Sequence, residues 1–121
     1  MPATRSKRRR REKIARIHAS SGTTGKPKGV VYTHRSIVLH SLATATVDCL
    51  GLSNRDSLCP IVPMFHVNAW GTPFTAAMVG AKIAFPGPHL DAVNLLDLYE
   101  SEKVTLSAGV PTVWQGLLAH M

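Results

Sequence analysis

The sequence predicts an α/β fold with a mainly parallel sheet and flanking helices. Two observations carry that expectation. Short apolar runs of strand length alternate with longer stretches whose apolar residues recur at helical spacing, the order that strand–helix–strand units produce. The breaks between them hold residues that cap helices or turn the chain, among them Thr33, Gly51, Gly80, Asp91 and Pro111. No internal repeat is visible.

Taken in order, Ile14, Ala15 and Ile17 form a short strand, and Val30–Thr33 forms another. Thr33 then caps a helix from His34 to about Cys49, with Val38, Leu42, Ala45 and Cys49 as its apolar face and Gly51 as its stop. His34 and His40 are a helix-start and a helix-face residue in this reading, because no partner at metal-ligand spacing accompanies them. Leu58–Val62 is a short apolar run suited to a buried parallel strand. A helix over Asn68–Val79 follows, then Gly80, then a strand over Ala81–Phe85 ended by Pro86-Gly87-Pro88. Asp91 caps a helix through Glu100 that buries Leu95, Leu96 and Tyr99; Val104–Ser107 is the next strand, and Pro111 opens a last helix at its favoured first position. Ligands of open α/β sheets gather at the carboxyl ends of the strands, so chemistry is expected where Val62 runs into Pro63-Met64-Phe65-His66.

Bulk properties narrow the function. The 121 residues make one domain or a piece of one. The formal charge of +7 suggests an anionic partner only until it is located. Met1–Ala19 holds eight basic residues against Glu12, and the remainder is neutral, with six bases and six acids. Residues 1–13 therefore read as a basic disordered tail, since like charges repel and little apolar surface is available to bury. Cys49 and Cys59 show neither metal spacing nor a disulfide framework, which fits packed thiols in a reducing, cytoplasmic setting. Ser57–Ala81 is uncharged, but Pro60, Pro63, Asn68, Gly71 and Pro73 interrupt it, and no transmembrane segment is expected.

The most informative stretch is Ser20-Ser21-Gly22-Thr23-Thr24-Gly25-Lys26-Pro27-Lys28-Gly29. Gly22, Gly25 and Gly29 let main-chain N–H groups approach an anion closely. The hydroxyls of Ser20, Ser21, Thr23 and Thr24 add donors, and Lys26 and Lys28 add point charges suited to phosphate. It is not a Walker loop, since only two residues separate Gly22 from Gly25 and Lys26 is followed by Pro27. It reads as a cradle for polyphosphate.

This string resembles the signature loop of the acyl-adenylating (AMP-binding) superfamily. The match continues through Gly29–Ser36, Val62–Gly71 and Ala108–Trp114 at continuous spacing, and is nearest to medium- and long-chain fatty acyl-CoA synthetases. The lead-in departs from them. Ile14-Ala15-Arg16-Ile17-His18-Ala19-Ser20 stands where that group usually has an apolar strand ending in Tyr-Thr-Ser, and is more like the phenylacetate-CoA ligase version.

The resemblance implies a fatty acid–CoA ligase in which ATP activates a carboxylate as acyl-adenylate and coenzyme A then takes the acyl group. Ser20, Ser21, Gly22, Thr23, Thr24, Gly25, Lys26, Lys28 and Gly29 would hold the ATP phosphates, with Lys26, Lys28 and His66 in catalytic roles and Ser20 toward magnesium. His66, Val67, Asn68, Trp70, Gly71, Gly109, Val110 and Pro111 would line the acyl pocket, Trp70 as its gate, while Trp114 is core. Residues 14–121 would form a fragment of the large N-terminal domain, inactive alone, because the family's Tyr-Gly-x-Thr-Glu segment, ribose-binding aspartate and catalytic lysine do not occur. The full-length parent would be a homodimer, as long-chain members often are. Aryl acids compete with fatty acids as substrate. The alternative is a non-catalytic module whose basic arm binds nucleic acid or a partner protein, and nucleic acid is the weaker of these readings because Ser20–Met121 is neutral.

Overall fold

The computed structural model describes residues 14–20 and 28–121, with side chains from residue 29 onward. Strand β1 (Ile14–Ser20) pairs antiparallel with β2 (Lys28–Thr33), placing Ala19 opposite Gly29 and Ser20 opposite Lys28. These two strands form a sheet of their own. The reason is connection length: parallel pairing needs a crossover of roughly a dozen residues or more, and only residues 21–27 lie between them.

Helix α1 (His34–Ala45) starts at a capping box. The Thr33 hydroxyl accepts the Ser36 amide at 3.1 Å, and the Ser36 hydroxyl accepts the Thr33 amide at 3.1 Å. The helix stops short of the expected Cys49. Thr46 is extended, and its hydroxyl donates to the Ala43 carbonyl at 2.7 Å, taking an acceptor the next helical turn would use. Gly51, at φ +62°, closes the following turn by donating to the Thr46 carbonyl. The expected apolar face is also reversed. Val38 and Leu42 are 50% and 53% exposed, while Ser41 and Thr44 are buried. α1 packs against helix α2 (Thr72–Val79), which buries Thr72, Thr75 and Ala76, and small side chains on both helices permit the approach.

The second sheet is parallel. Strand β3 (Ser57–Pro60) lies at its centre, between β4 (Lys82–Ile83) and β5 (Leu106–Ala108). Leu58 stands opposite both Ile83 and Leu106. The outer strands are shorter than Ala81–Phe85 and Val104–Ser107. After Ala84 bonds to the Leu58 carbonyl, Pro86 has no N–H to extend β4. At β5, Lys103 takes φ +50° and Val104 bonds back to the Tyr99 carbonyl, so Val104 belongs to the exit of the preceding helix.

Helices cover both faces of this sheet, and β3, whose successive side chains point to opposite faces, is buried at every residue. Leu58 packs with Leu52 and Ala76 on one face, whereas Cys59 and Ile61 pack with Leu95 of α3 (Ala92–Ser101) and Leu117 of α4 (Pro111–His120) on the other. Asp91 caps α3 through the Asn94 amide, and Pro111 opens α4. Burial pushes the Cys59 thiol up, whereas Cys49 is exposed and is not the packed thiol expected. Its place in the turn after α1 takes it off any helix face. Among the described residues no helix is long and apolar enough to cross a membrane.

Asp56 ties the start of β3 to the approach of β5. Its carboxylate accepts the Ser53 amide and hydroxyl, both at 2.8 Å, and the Thr105 hydroxyl at 2.9 Å. The Ser53 hydroxyl foremost, with the Ser53 amide and Thr105, holds its pKa below the ordinary aspartate range. A depressed carboxylate adds stability above its unfolded value, about 3.9, and that stability is lost as pH falls through the lower folded value. The chain should therefore lose stability below about pH 4, and Asp56→Asn should flatten that part of the profile, read as denaturation midpoint against pH.

Candidate functional site at the carboxyl edge of the parallel sheet

Among the described residues, the chain leaving β3 makes the most unusual turn. Val67, Asn68, Ala69 and Trp70 have φ of 49°, 56°, 51° and 57°, and Gly71 follows at 72°. This is a left-handed turn of four non-glycine residues. The expected helix over Asn68–Val79 is therefore broken, and its right-handed part is α2, with Pro73 in its first turn. A left-handed residue other than glycine costs about 1–2 kcal/mol, so the four together store roughly 4–8 kcal/mol that their surroundings must offset.

Hydrogen bonds supply part of the offset. The His66 carbonyl accepts the Ala69 amide at 3.0 Å, and the Gly71 amide is shared by the Val67 and Asn68 carbonyls. The Thr72 hydroxyl donates to the Ala69 carbonyl at 2.8 Å, and the Phe74 and Thr75 amides reach the Gly71 carbonyl. Burial supplies more. Ala69 is fully buried in a cluster with Val62 and Ala108, which ties the turn to the end of β5.

The same cluster brings the two segments expected to form a pocket to one edge. The Ile61 and Val62 amides both bond to the Ala108 carbonyl, at 2.8 and 3.1 Å. Gly109 then passes so close to Ile61 and Trp114 that an added Cβ would lie 3.5 Å from Ile61 Cβ and 3.0 Å from Trp114 Cζ2. Trp114 is half-buried and donates through Nε1 to the Gly109 carbonyl at 3.1 Å, in keeping with a core residue. Val110 and Pro111 are exposed at the start of α4.

Beside the turn is a largely apolar cavity of about 250 Å³, lined by Tyr32, Ser36, Ile37, His40, Val67, Asn68, Gly71 and Phe74. Of the expected pocket residues, Val67, Asn68 and Gly71 line it. His66 and Trp70 are exposed next to it, Trp70 by 43%. Gly109, Val110 and Pro111 stand at the end of β5 and are not among its lining residues. Asn68 is only 4% exposed, and its Oδ1 has no hydrogen-bond partner among the described residues. A second hollow, about 330 Å³, lies between the Pro60–Phe65 segment and Phe85–Leu90. Among the described residues no group of three His, Cys, Asp or Glu is placed to hold a metal.

Four lining residues come from β2 and α1, some thirty residues before the turn, and motif reading missed them. His40 is the clearest case: its Nε2 lies 2.9 Å from the Trp70 carbonyl. The polar pair His40 and Thr44, one helical turn apart, was the available signal.

Of the expected phosphate-binding residues, Ser21, Gly22, Thr23, Thr24, Gly25 and Lys26 lie outside the described residues. Ser20 and Lys28 are described through the backbone, as the register pair that brackets them, and Gly29 is exposed on β2. The basic tail, residues 1–13, also lies outside the described residues.

Comparison with known proteins decides the family. The profile of the AMP-binding enzymes, described as "AMP-binding enzyme", matches residues 2–121. The chain belongs to the AMP-binding enzyme family. One AMP-binding relative, the medium-chain-fatty-acid–CoA ligase of Ectopseudomonas oleovorans, is 65% identical over 100 residues, covering 83% of this chain and 18% of that protein. The chain thus spans about a fifth of the length of the curated AMP-binding relatives it matches. Among solved AMP-binding structures, the inhibitor-bound N-terminal domain of FACL13 from Mycobacterium tuberculosis superposes with a TM-score of 0.72 at 35% identity, covering 86% of this chain and 25% of that one. The o-succinylbenzoate coenzyme A synthetase of Bacillus subtilis, in complex with ATP and magnesium ion, superposes with a TM-score of 0.74 at 26% identity, covering 87% and 22%. The α/β architecture is that of the N-terminal part of AMP-binding acyl-CoA synthetases.

Proposed function

We propose that this chain supplies the phosphate-binding loop and one wall of the acyl pocket of an AMP-forming fatty acid–CoA ligase, with ATP and a fatty acid as substrates and coenzyme A as acyl acceptor. The observation that carries the reading is the apolar cavity against the left-handed turn at the carboxyl edge of the parallel sheet. The likeness to a medium-chain-fatty-acid–CoA ligase supports the acyl class.

In this reading the hairpin loop between Ser20 and Lys28 holds the ATP phosphates. The donor set from Ser20 to Gly29 fits a polyphosphate: three glycines, four hydroxyls and two ammonium groups without an acid. The register pair Ser20–Lys28 brings the two ends of the loop together. Lys26 and Lys28 stabilise negative charge that grows on the departing pyrophosphate. The Ser20 hydroxyl is an oxygen donor of the kind magnesium takes, and the ion, when bound, neutralises phosphate charge. Val67, Asn68, Gly71, Ile37 and Phe74 exclude water from the acyl chain, and His66 and Trp70 stand at the rim, where the carboxylate would enter. The Gly109–Pro111 segment contributes from the neighbouring strand end.

The test is binding of magnesium-ATP to the 121-residue chain by equilibrium dialysis. Replacing Lys26 and Lys28 together by alanine should weaken it by at least about 100-fold, since each hydrogen bond to a charged group contributes roughly 1.5–3 kcal/mol. Unchanged affinity in the double variant, with the far-ultraviolet spectrum preserved, would sink the phosphate-loop assignment.

A further inference from the structure

We propose that His40 is a positioning residue of the acyl pocket, the side chain outside the turn whose hydrogen bond helps hold Val67–Trp70 in its left-handed form. The inference rests on the reading of that cavity as the acyl site, and deepens it. The carbonyls of His66, Val67, Asn68, Ala69 and Gly71 take their hydrogen bonds from donors within Ala69–Thr75. The Trp70 carbonyl takes its bond from α1, through His40 Nε2 at 2.9 Å. A carbonyl only accepts, so this contact fixes the imidazole as the tautomer protonated at Nε2.

The ring is also a steric stop. It lies so close to Gly71 that a Cβ there would sit 2.5 Å from His40 Cδ2 and 2.6 Å from Nε2. His40 thus presses on the turn at Gly71 and bonds it at Trp70, on adjacent residues, from a helix thirty residues upstream. Within α1 the Thr44 hydroxyl donates to the His40 carbonyl at 2.8 Å and lies 3.4 Å from the same Nε2, so the ring is flanked by a polar neighbour one helical turn on. A strained run of this kind persists only where its surroundings over-determine it. If the brace is removed, the turn is free to relax toward right-handed φ, which swings Val67 and Asn68 out of the cavity wall.

The experiment compares the wild-type chain with His40→Leu, which keeps bulk without a donor, and His40→Gln, whose amide nitrogen can reach where Nε2 sits. Hydrogen exchange of the Ala69 and Gly71 amides reports the turn, and titration with decanoate reports the pocket. His40→Leu should speed exchange at both amides about tenfold and weaken decanoate by a similar factor, the upper end of what one hydrogen bond contributes net. His40→Gln should recover both to within about threefold of wild type. Imidazole nitrogen spectra of the wild type should show His40 protonated at Nε2, a measurement that needs no variant to fold. Exchange in His40→Leu within about twofold of wild type, no recovery in His40→Gln, or a proton on Nδ1 alone would each overturn the proposal. If the exchange pattern holds and decanoate binds none of the three proteins, the brace stands and the acyl reading of the cavity falls.

Discussion

Leu58→Ala should cost about 2–5 kcal/mol, a large share of the roughly 5–15 kcal/mol that holds a small domain together. Leu58 is fully buried in the central strand and stands opposite both Ile83 and Leu106, so its side chain is shared by every strand of the parallel sheet. It also packs with Leu52 and Ala76, which join the loop before β3 and α2 to that sheet. Shortening it opens a void beside β4, a strand only two residues long. The comparison is Val38→Ala on the exposed face of α1, expected to stay within about 0.5 kcal/mol of wild type. Urea midpoints decide between them, and equal shifts for the two variants would refute the placement of Leu58 at the centre of the core.

Such a core is legible in the sequence because it is written in local chemistry. Leu58 sits in an apolar run between Asp56 and Pro63, Asp91 and Thr33 carry cap hydroxyl or carboxyl groups, and Pro111 is suited to a first helical position. Each of these was placed correctly from its neighbours alone. What failed depended on contacts far along the chain. The outward face of α1 was read as its core face because Val38 and Leu42 are apolar, but α2 admits only small side chains and so Ser41 and Thr44 turn inward. The hairpin of β1 and β2 follows from a short connection, which alternation of elements does not reveal.

The site divides in the same way. Val67, Asn68 and Gly71 were named from their motif and do line the cavity, whereas Tyr32, Ser36, Ile37 and His40 reach it from elements that no spacing rule links to residue 67. Nor does any local rule foresee a left-handed valine, since β-branched residues avoid that region most strongly. The one clue was Pro73, which marks a helix start near Thr72 and therefore denies Asn68 a place in it. Local propensity and tertiary demand conflict here more than anywhere else in the described chain, and such conflicts concentrate where function is built.

Gly71→Val tests that conflict directly, and should be the most damaging single change at the site. Gly71 sits at φ +72°, where a β-branched residue costs about 1–2 kcal/mol, and its new side chain would drive into the His40 ring, adding about 1–3 kcal/mol of overpacking. The expected total is roughly 2–5 kcal/mol, together with loss of the His40–Trp70 bond. The backbone and steric parts separate in a double-mutant cycle with His40→Ala. Removing the ring relieves the clash but leaves the backbone strain, so the double variant should be more stable than the two single losses predict, by about 1 kcal/mol or more. Strict additivity in urea denaturation would mean that Gly71 and His40 do not touch. Because the ring both stops Gly71 and holds Trp70, the same cycle read on Gly71 amide exchange should show the turn loosened in all three variants, even where global stability is recovered.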